Sequence, residues 1–136
     1  MSWINAYVGV PFKDQGRDFR GCDCWGLVRL VYKNVLDIDL PSYGEISASD
    51  LKEVSRNIAG NNDIEPWVEV ERAREFDVAV MRFYGSKRIG HVGIVVSNSP
   101  VSIVHTEKGH DSVVVRSDDM RVRSRIVGFR RHRSLA

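Results

Sequence analysis

The chain has 136 residues, of which 43% are hydrophobic and 28% are charged, proportions that are ordinary for a globular protein. Its 20 basic and 18 acidic residues leave a formal net charge of +2, so no overall field favours nucleic acid as a partner. There is no apolar run of the ~18 residues that a membrane helix needs, and no secretory signal pattern at the start. We therefore expect one domain over residues 1–136, made in the cytoplasm and not inserted in a membrane.

The first half of the chain predicts helices. Four apolar residues at helical spacing mark a short first helix capped by Ser2: Trp3, Ile4, Tyr7 and Val8. After a polar loop, a second apolar stripe predicts a buried helix: Leu27, Leu30, Val31 and Val35. The first turn of this helix begins at Cys24. A third, more exposed helix is predicted from the capping-box pattern at Asp50 to Gly60.

The second half predicts strands. Six short segments rich in β-branched and aromatic residues are separated by polar turns: residues 67–70, 77–83, 91–96, 102–106, 112–116 and 125–130. Helices followed by strands indicate an α+β fold with an antiparallel sheet, because parallel sheets need alternating strands and helices. The arginines between Arg116 and Arg133 are interpreted as a solvated edge strand, with an anion-binding strip as the alternative.

The two cysteines, Cys22 and Cys24, are separated by one residue, so a bridge between them would be strained. At the first turn of a helix, Cys24 meets unpaired N–H groups and the positive end of the helix dipole. These favour a thiolate, so we expect a lower thiol pKa for Cys24 than for Cys22. The alternative is a buried packing cysteine. Two cysteines this close, with no second pair, do not predict a zinc site, and we expect no metal or cofactor.

Two histidines lie on successive predicted strands. His91 begins one strand and His105 ends the next. In an antiparallel pair the numbers of opposed residues add to a constant, and the sum of 91 and 105 is even. A connecting loop of three or five residues, built around residues 98–100, is therefore expected to place both rings on one face. A two-residue turn would place them on opposite faces.

The joint pattern of one cysteine and two histidines predicts nucleophilic catalysis. Cys24 would attack a carbonyl, His91 would accept its proton and pass it to the leaving amine, and His105 would orient the His91 ring. The alternative for each histidine alone is a structural residue at a strand end. Cys22 is a weaker candidate nucleophile, because no helix turn follows it.

Three motifs resemble the NlpC-type cell-wall peptidases: the run from Asp23 to Val28, the run from Gly90 to Ile94 and the strand end at residues 104–106. The resemblance extends from about Tyr7 to Phe129. It implies a papain-like α+β fold, with N-terminal helices and the nucleophile at a helix N-terminus packed on a central antiparallel sheet. It also implies that the chain hydrolyses a bond in the stem peptide of peptidoglycan.

By the same resemblance, residues beside the nucleophile would bind the substrate. Asp23 would receive a charged amino end, and a helix N-cap is the equally weighted alternative. Trp25 stands where the family often has serine, and Phe12 stands where a tyrosine is common. Phe76 replaces a usual glycine. We expect Trp25 and Phe12 to line the cleft, and these departures leave the exact substrate open.

The compact size, the missing signal and the C-terminal arginines resemble the version of the family carried as a tail component by phages and phage-like particles. Other tail proteins would then be partners, and the particle would carry the protein to the wall. The alternative function is a non-catalytic tail-assembly protein that retains the peptidase fold. Nucleic-acid binding through the arginines ranks last.

Overall fold

A computed structural model describes residues 3–40 and 67–135. A 3₁₀ helix spans Trp3–Tyr7, where an α-helix was expected, and helix α1 spans Cys24–Val31 before one π-helical turn at Tyr32–Leu36. The expected helix from Asp50 to Gly60 and the cap at Ser2 lie outside the described residues. Of the helices within them, none has the length and apolar character needed to cross a membrane.

The expected α+β architecture is confirmed. A hairpin that the sequence did not predict precedes α1, with β1 at Arg17–Asp18 and β2 at Gly21–Cys22. Six strands then follow: β3 Trp67–Val70, β4 Val78–Arg82, β5 Ile89–Asn98, β6 Val101–Glu107, β7 His110–Arg116 and β8 Ile126–His132. Each lies within two residues of its predicted bounds. They form one sheet in the order β3-β8-β4-β5-β6-β7, and every neighbouring pair is antiparallel.

Both faces of the sheet are covered. The apolar side of α1 packs on one face, and this layer includes Leu27, Val28, Val31, Val80, Val92 and Ile94. The other face packs against the segment between β7 and β8, through Ala79, Met81, Val95, Ile103 and Val122. The alternation of buried side chains along β4 between these two layers follows from the two-residue period of a strand. The N-terminus of α1 is thereby fixed against β5.

β8 is an interior strand, so the expectation of a solvated edge strand is wrong. It lies between β3 and β4, and its arginines pair with carboxylates of this chain. Arg131 contacts Asp77 at 2.8 Å, and Arg130 lies 3.9 Å from Glu69. Because these positive charges already have partners, they favour neither an anion-binding strip nor nucleic-acid binding.

Phe76 precedes β4 in a left-handed conformation, with φ at 77°. Such a conformation is strained for a bulky side chain, which is why glycine suits this position. Its ring stacks on Trp3 with the ring centres 5.2 Å apart, and its carbonyl accepts a hydrogen bond from the Tyr32 hydroxyl. These contacts hold the turn in place despite the missing glycine.

Close packing of α1 on the preceding loop requires glycine at position 26. A Cβ atom there would lie 2.3 Å from the carbonyl oxygen of Gly16, a main-chain atom that cannot move aside cheaply. We expect Gly26→Ala to lower the free energy of unfolding by about 3 kcal/mol, measured by urea denaturation. Gly128→Ala is the matched control, because only the end of the flexible Arg130 side chain lies near that position. Equal stability of the two variants would contradict this packing.

Candidate active site

Cys24 is the first residue of α1 and is 1% exposed. Burial first, and the charge of Asp23 second, raise the pKa of its thiol, although main-chain hydrogen bonds from Val92 and Trp25 act in the opposite direction. Burial likewise raises the pKa of Cys22 to about 12. The expected lowering of the Cys24 pKa is therefore wrong, because desolvation of the thiolate outweighs the favourable helix terminus. Cys24 rests as a thiol and needs a base.

His91 and His105 form a hydrogen-bonded pair. The Nε2 atom of His91 lies 2.8 Å from Nδ1 of His105, and each residue is 2% exposed. Burial first, and the neighbouring His105 second, lower the pKa of His91 to about 3. Burial also lowers the pKa of His105 to about 4. Both rings are therefore neutral at neutral pH, so the hydrogen bond joins one N–H donor and one bare nitrogen.

The loop that joins the two histidine strands differs from the prediction. Asn98 pairs with Val101, which leaves a two-residue turn where three or five residues were expected. That turn alone would place the rings on opposite faces. A β-bulge at Val96 inserts one extra residue into β5 and changes the sum of paired residue numbers from odd to even. The bulge thus brings His91 and His105 to one face, as expected, through a feature that the sequence did not reveal.

Glycine at position 93 makes room for this pair. Beyond the bulge the register places Gly93 opposite His105. A Cβ atom at Gly93 would lie 3.2 Å from Cβ of His105 and 3.1 Å from the carbonyl oxygen of Val104. The missing side chain therefore lets the His105 ring approach His91.

A cavity of about 760 Å³ joins the thiol and the two rings. Cys24, His91 and His105 all line it, and Phe12 lines its wall as expected. The rest of the lining combines apolar residues with charged and polar ones: Phe83, Tyr84, Val113, Val115, Val122, Thr106, Glu107, Lys108, Gly109, His110, Arg121 and Arg125. Cys24 is thus buried but lines the same cavity as the two imidazoles.

Two expected substrate contacts lie away from this cavity. Trp25 is fully buried in the core, with its ring centre 6.4 Å from that of Trp67. Asp23 is also fully buried, and its Oδ1 accepts hydrogen bonds from the Gly26 N–H at 2.8 Å and from Arg17 at 2.7 Å. Of the two interpretations of Asp23, the structure shows the N-cap. The cap fixes the start of α1 and thereby the position of Cys24.

Sequence reasoning missed three groups beside the histidine pair. Glu107 lies 3.9 Å from His91 and 4.0 Å from His105, and 3.5 Å from the exposed His110. Arg125 binds Glu107 through two hydrogen bonds. Glu107 follows His105 by two positions, so the two-residue period of a strand could have placed it on the same face. Arg125 lies in a turn, and no pattern in the sequence marked it.

His91, His105 and Glu107 are also the group in residues 3–40 and 67–135 with metal-ligand spacing, since their ligand atoms lie within 4.8 Å of one another. Those atoms already have partners. The two ring nitrogens bond each other, and Arg125 binds both carboxylate oxygens. The donor set therefore fits a hydrogen-bonded network better than a metal site.

A cysteine at a helix N-terminus, facing two histidines of an antiparallel sheet, is the arrangement of a papain-like protein. Residues 9–131 match the sequence profile of the NlpC/P60 family, and the chain belongs to that family. No curated protein matches the chain.

Solved structures share the fold. One is the NlpC/p60 domain of the peptidoglycan hydrolase SagA, with 22% identity, a TM-score of 0.59, and coverage of 93% of this chain and 89% of that chain. An NlpC/P60 family protein from Bacillus cereus has 19% identity and a TM-score of 0.66 over 93% of this chain and 36% of its own. A lipoprotein-like member from Staphylococcus aureus has 19% identity and a TM-score of 0.61, and the match covers 93% of this chain and 37% of that chain. This chain therefore spans little more than a third of the latter two.

The buried neutral histidines predict a loss of stability in acid. Both pKa values lie below the ordinary 6.5, so under that pH the unfolded chain binds protons that the folded chain does not. We expect the free energy of unfolding to fall as the pH decreases from 6.5 towards 4.5. His105→Asn should remove about one of the protons taken up on unfolding, and so reduce the slope of the free energy of unfolding against pH by ~1.4 kcal/mol per pH unit. Urea denaturation at several pH values measures it, and an identical slope in the variant would contradict the assignment.

Proposed function

We propose that this protein is a cysteine hydrolase that cuts a stem-peptide bond of bacterial peptidoglycan. The observation that carries the proposal is the shared cavity, which Cys24, His91 and His105 all line. Membership of the NlpC/P60 family supports a cell-wall hydrolase, and the similar SagA domain belongs to a peptidoglycan hydrolase. In this proposal Cys24 is the nucleophile, His91 the general base and His105 the residue that orients His91.

One of the two donor directions of the hydrogen-bonded pair gives His91 the form that a base requires. When Nε2 of His91 donates to Nδ1 of His105, the Nδ1 atom of His91 carries no proton and can accept one. Because the thiol rests protonated and the ring rests neutral, proton transfer accompanies the attack of sulfur on the carbonyl carbon. Such a base is worth ~10²–10⁴-fold in rate.

The reaction then proceeds through a covalent intermediate. The Cys24 sulfur forms a bond to the carbonyl carbon, and the His91 imidazolium gives its proton to the departing amine. Water attacks the resulting thioester with His91 again as the base, which releases a carboxylic acid and restores the thiol. The N–H groups of Gly26 and Leu27 are already bonded to Asp23. We therefore expect the Cys24 N–H at the first turn to bind the developing oxyanion.

The lining of the cavity suits a peptide that carries carboxylates. Val113, Val115 and Val122 form an apolar wall, and Lys108 adds positive charge, whereas Arg121 is paired with Asp119. Phe12 completes the wall near Cys24 in place of a hydroxyl-bearing tyrosine. Substrate contacts at Trp25 and at Asp23 would need a rearrangement of the buried α1 terminus, so we assign recognition to the cavity wall.

We further propose that the protein is a tail component of a phage or phage-like particle, synthesised in the cytoplasm and carried to the wall. This finer proposal rests on the sequence resemblance. Detection of the chain in purified tail particles would support it, and its absence from complete particles would refute it. The competing function, a non-catalytic assembly protein, is disfavoured by the intact Cys24, His91 and His105 arrangement.

Replacing the nucleophile tests the hydrolase proposal. We expect Cys24→Ala to reduce the release of stem-peptide fragments by roughly 10³-fold or more, because no other group forms the thioester. Fragments released from peptidoglycan or from a stem tetrapeptide are measured by mass spectrometry. Cys22→Ala is the matched control, since Cys22 is equally buried but does not line the cavity. Unchanged hydrolysis by Cys24→Ala would refute the assignment.

A further inference from the structure

A fixed ion pair lies beside the two imidazoles. Arg125 donates hydrogen bonds to both carboxylate oxygens of Glu107, at 3.0 and 2.7 Å. The Nε atom of Arg125 donates to the carbonyl of Arg82 at 3.1 Å, and the Arg125 side chain is only 9% exposed. Because the main chain anchors the guanidinium, Arg125 holds the Glu107 carboxylate in one orientation.

This orientation directs the carboxylate towards the rings without bonding them. Oε1 of Glu107 lies 3.9 Å from Nε2 of His91, and Oε2 lies 4.0 Å from Nδ1 of His105. Both distances exceed the length of a hydrogen bond, so Glu107 acts on the rings through its charge. Burial would raise the pKa of Glu107, but the hydrogen bonds from Arg125 and its positive charge, with the histidines once they are protonated in acid, outweigh burial and lower the pKa to about 2. Glu107 is therefore ionised at neutral pH.

We propose that Glu107 is a positioning residue whose negative charge stabilises the positive charge that His91 acquires on taking the Cys24 proton. The inference rests on the role proposed above for His91. Among the described residues, Glu107 is the carboxylate within 4.0 Å of either ring nitrogen. A buried imidazolium without such a neighbour is costly, because the ring has lost its hydration.

The groups around His91 come from α1, β6, β7 and the turn before β8: Cys24, His105, Glu107, His110 and Arg125. After burial and His105, Glu107 is the group that raises the pKa of His91, whereas Arg125 and His110 lower it. For the Cys24 thiol, burial and Asp23 dominate, and Glu107 contributes a smaller rise in pKa. Glu107 and Arg125, which form one ion pair, thus shift the pKa of His91 in opposite directions.

Opposite effects of two substitutions test this inference. The rate at which iodoacetamide alkylates Cys24 is followed by mass spectrometry from pH 6 to pH 10. At neutral pH we expect Glu107→Gln to lower the rate about tenfold, as a one-unit fall in the pKa of the base would do. Arg125→Gln should raise it, because the carboxylate then faces the rings without its counter-charge. Because burial raises the pKa of the Cys24 thiol, the thiol depends on His91 throughout this range, and the two variants should keep their opposite effects from pH 6 to pH 10.

A purely structural role for the pair predicts a different result. Loss of a tether would change both variants in the same direction at every pH, and that outcome would overturn the inference. Glu107→Asp keeps the charge and should restore most of the neutral-pH rate. Asp118→Asn is the matched control, because it breaks a bidentate pair with Arg116 on the exposed surface and should leave the rate unchanged.

If one of the two variants fails to fold, the other still tests the inference. Thermal unfolding followed by circular dichroism shows whether each protein is folded. If Glu107→Gln is unfolded, the sign of the Arg125→Gln effect decides alone, since a fall or no change overturns the inference. Alkylation requires no peptidoglycan, so a protein that fails to cut the wall refutes the proposed hydrolase without affecting this test.

Discussion

The hydrogen bond between His91 and His105 is the interaction on which the proposed chemistry depends. It joins two neutral rings at 2.8 Å on adjacent strands, and it requires both side chains to lie on one face of the sheet. The bulge at Val96 supplies the register, and Gly93 supplies the space. In the proposed mechanism Nε2 of His91 is the donor in this bond, which leaves Nδ1 bare. With the opposite donor direction, Nδ1 of His91 would carry the proton and present a donor, where the thiol needs an acceptor.

Burial shapes the site more than the helix dipole does. A thiol and two imidazoles in a desolvated cavity all favour their neutral forms, so the resting state carries no ion pair between Cys24 and His91. In the proposed reaction the charge separation arises during the attack, when the substrate fills the cavity. The fixed carboxylate of Glu107, held by Arg125, places negative charge where the positive charge then develops. The site is therefore preorganised for the proton transfer and not for a stored thiolate.

The sequence predicted the strands, and it singled out Cys24, His91 and His105 as candidates, because both depend on local signals. The alternation of apolar and polar residues indicates strands, and a cysteine at the start of an apolar helix can be recognised from the amino-acid sequence. The sequence could not predict the bulge at Val96. A single unpaired residue does not alter the composition of the strand, yet it shifts the pairing of every residue beyond it. Sequence reasoning also misjudged Trp25, which stands next to the nucleophile in the chain. On a helix, the residue after Cys24 points about 100° away, and here that direction is the core. The sequence predicts Arg125 at the start of the last strand, but it lies in the turn before β8, and only the folded chain brings it to Glu107.

The nitrogen shifts and couplings of the two imidazoles test the account most directly. In protein labelled with ¹⁵N at histidine, we predict at pH 7 that both rings are neutral, that His91 is protonated at Nε2 and bare at Nδ1, and that a nitrogen–nitrogen coupling links His91 to His105 across their hydrogen bond. A His91 ring protonated at Nδ1, or two rings without a coupling between them, would contradict the account.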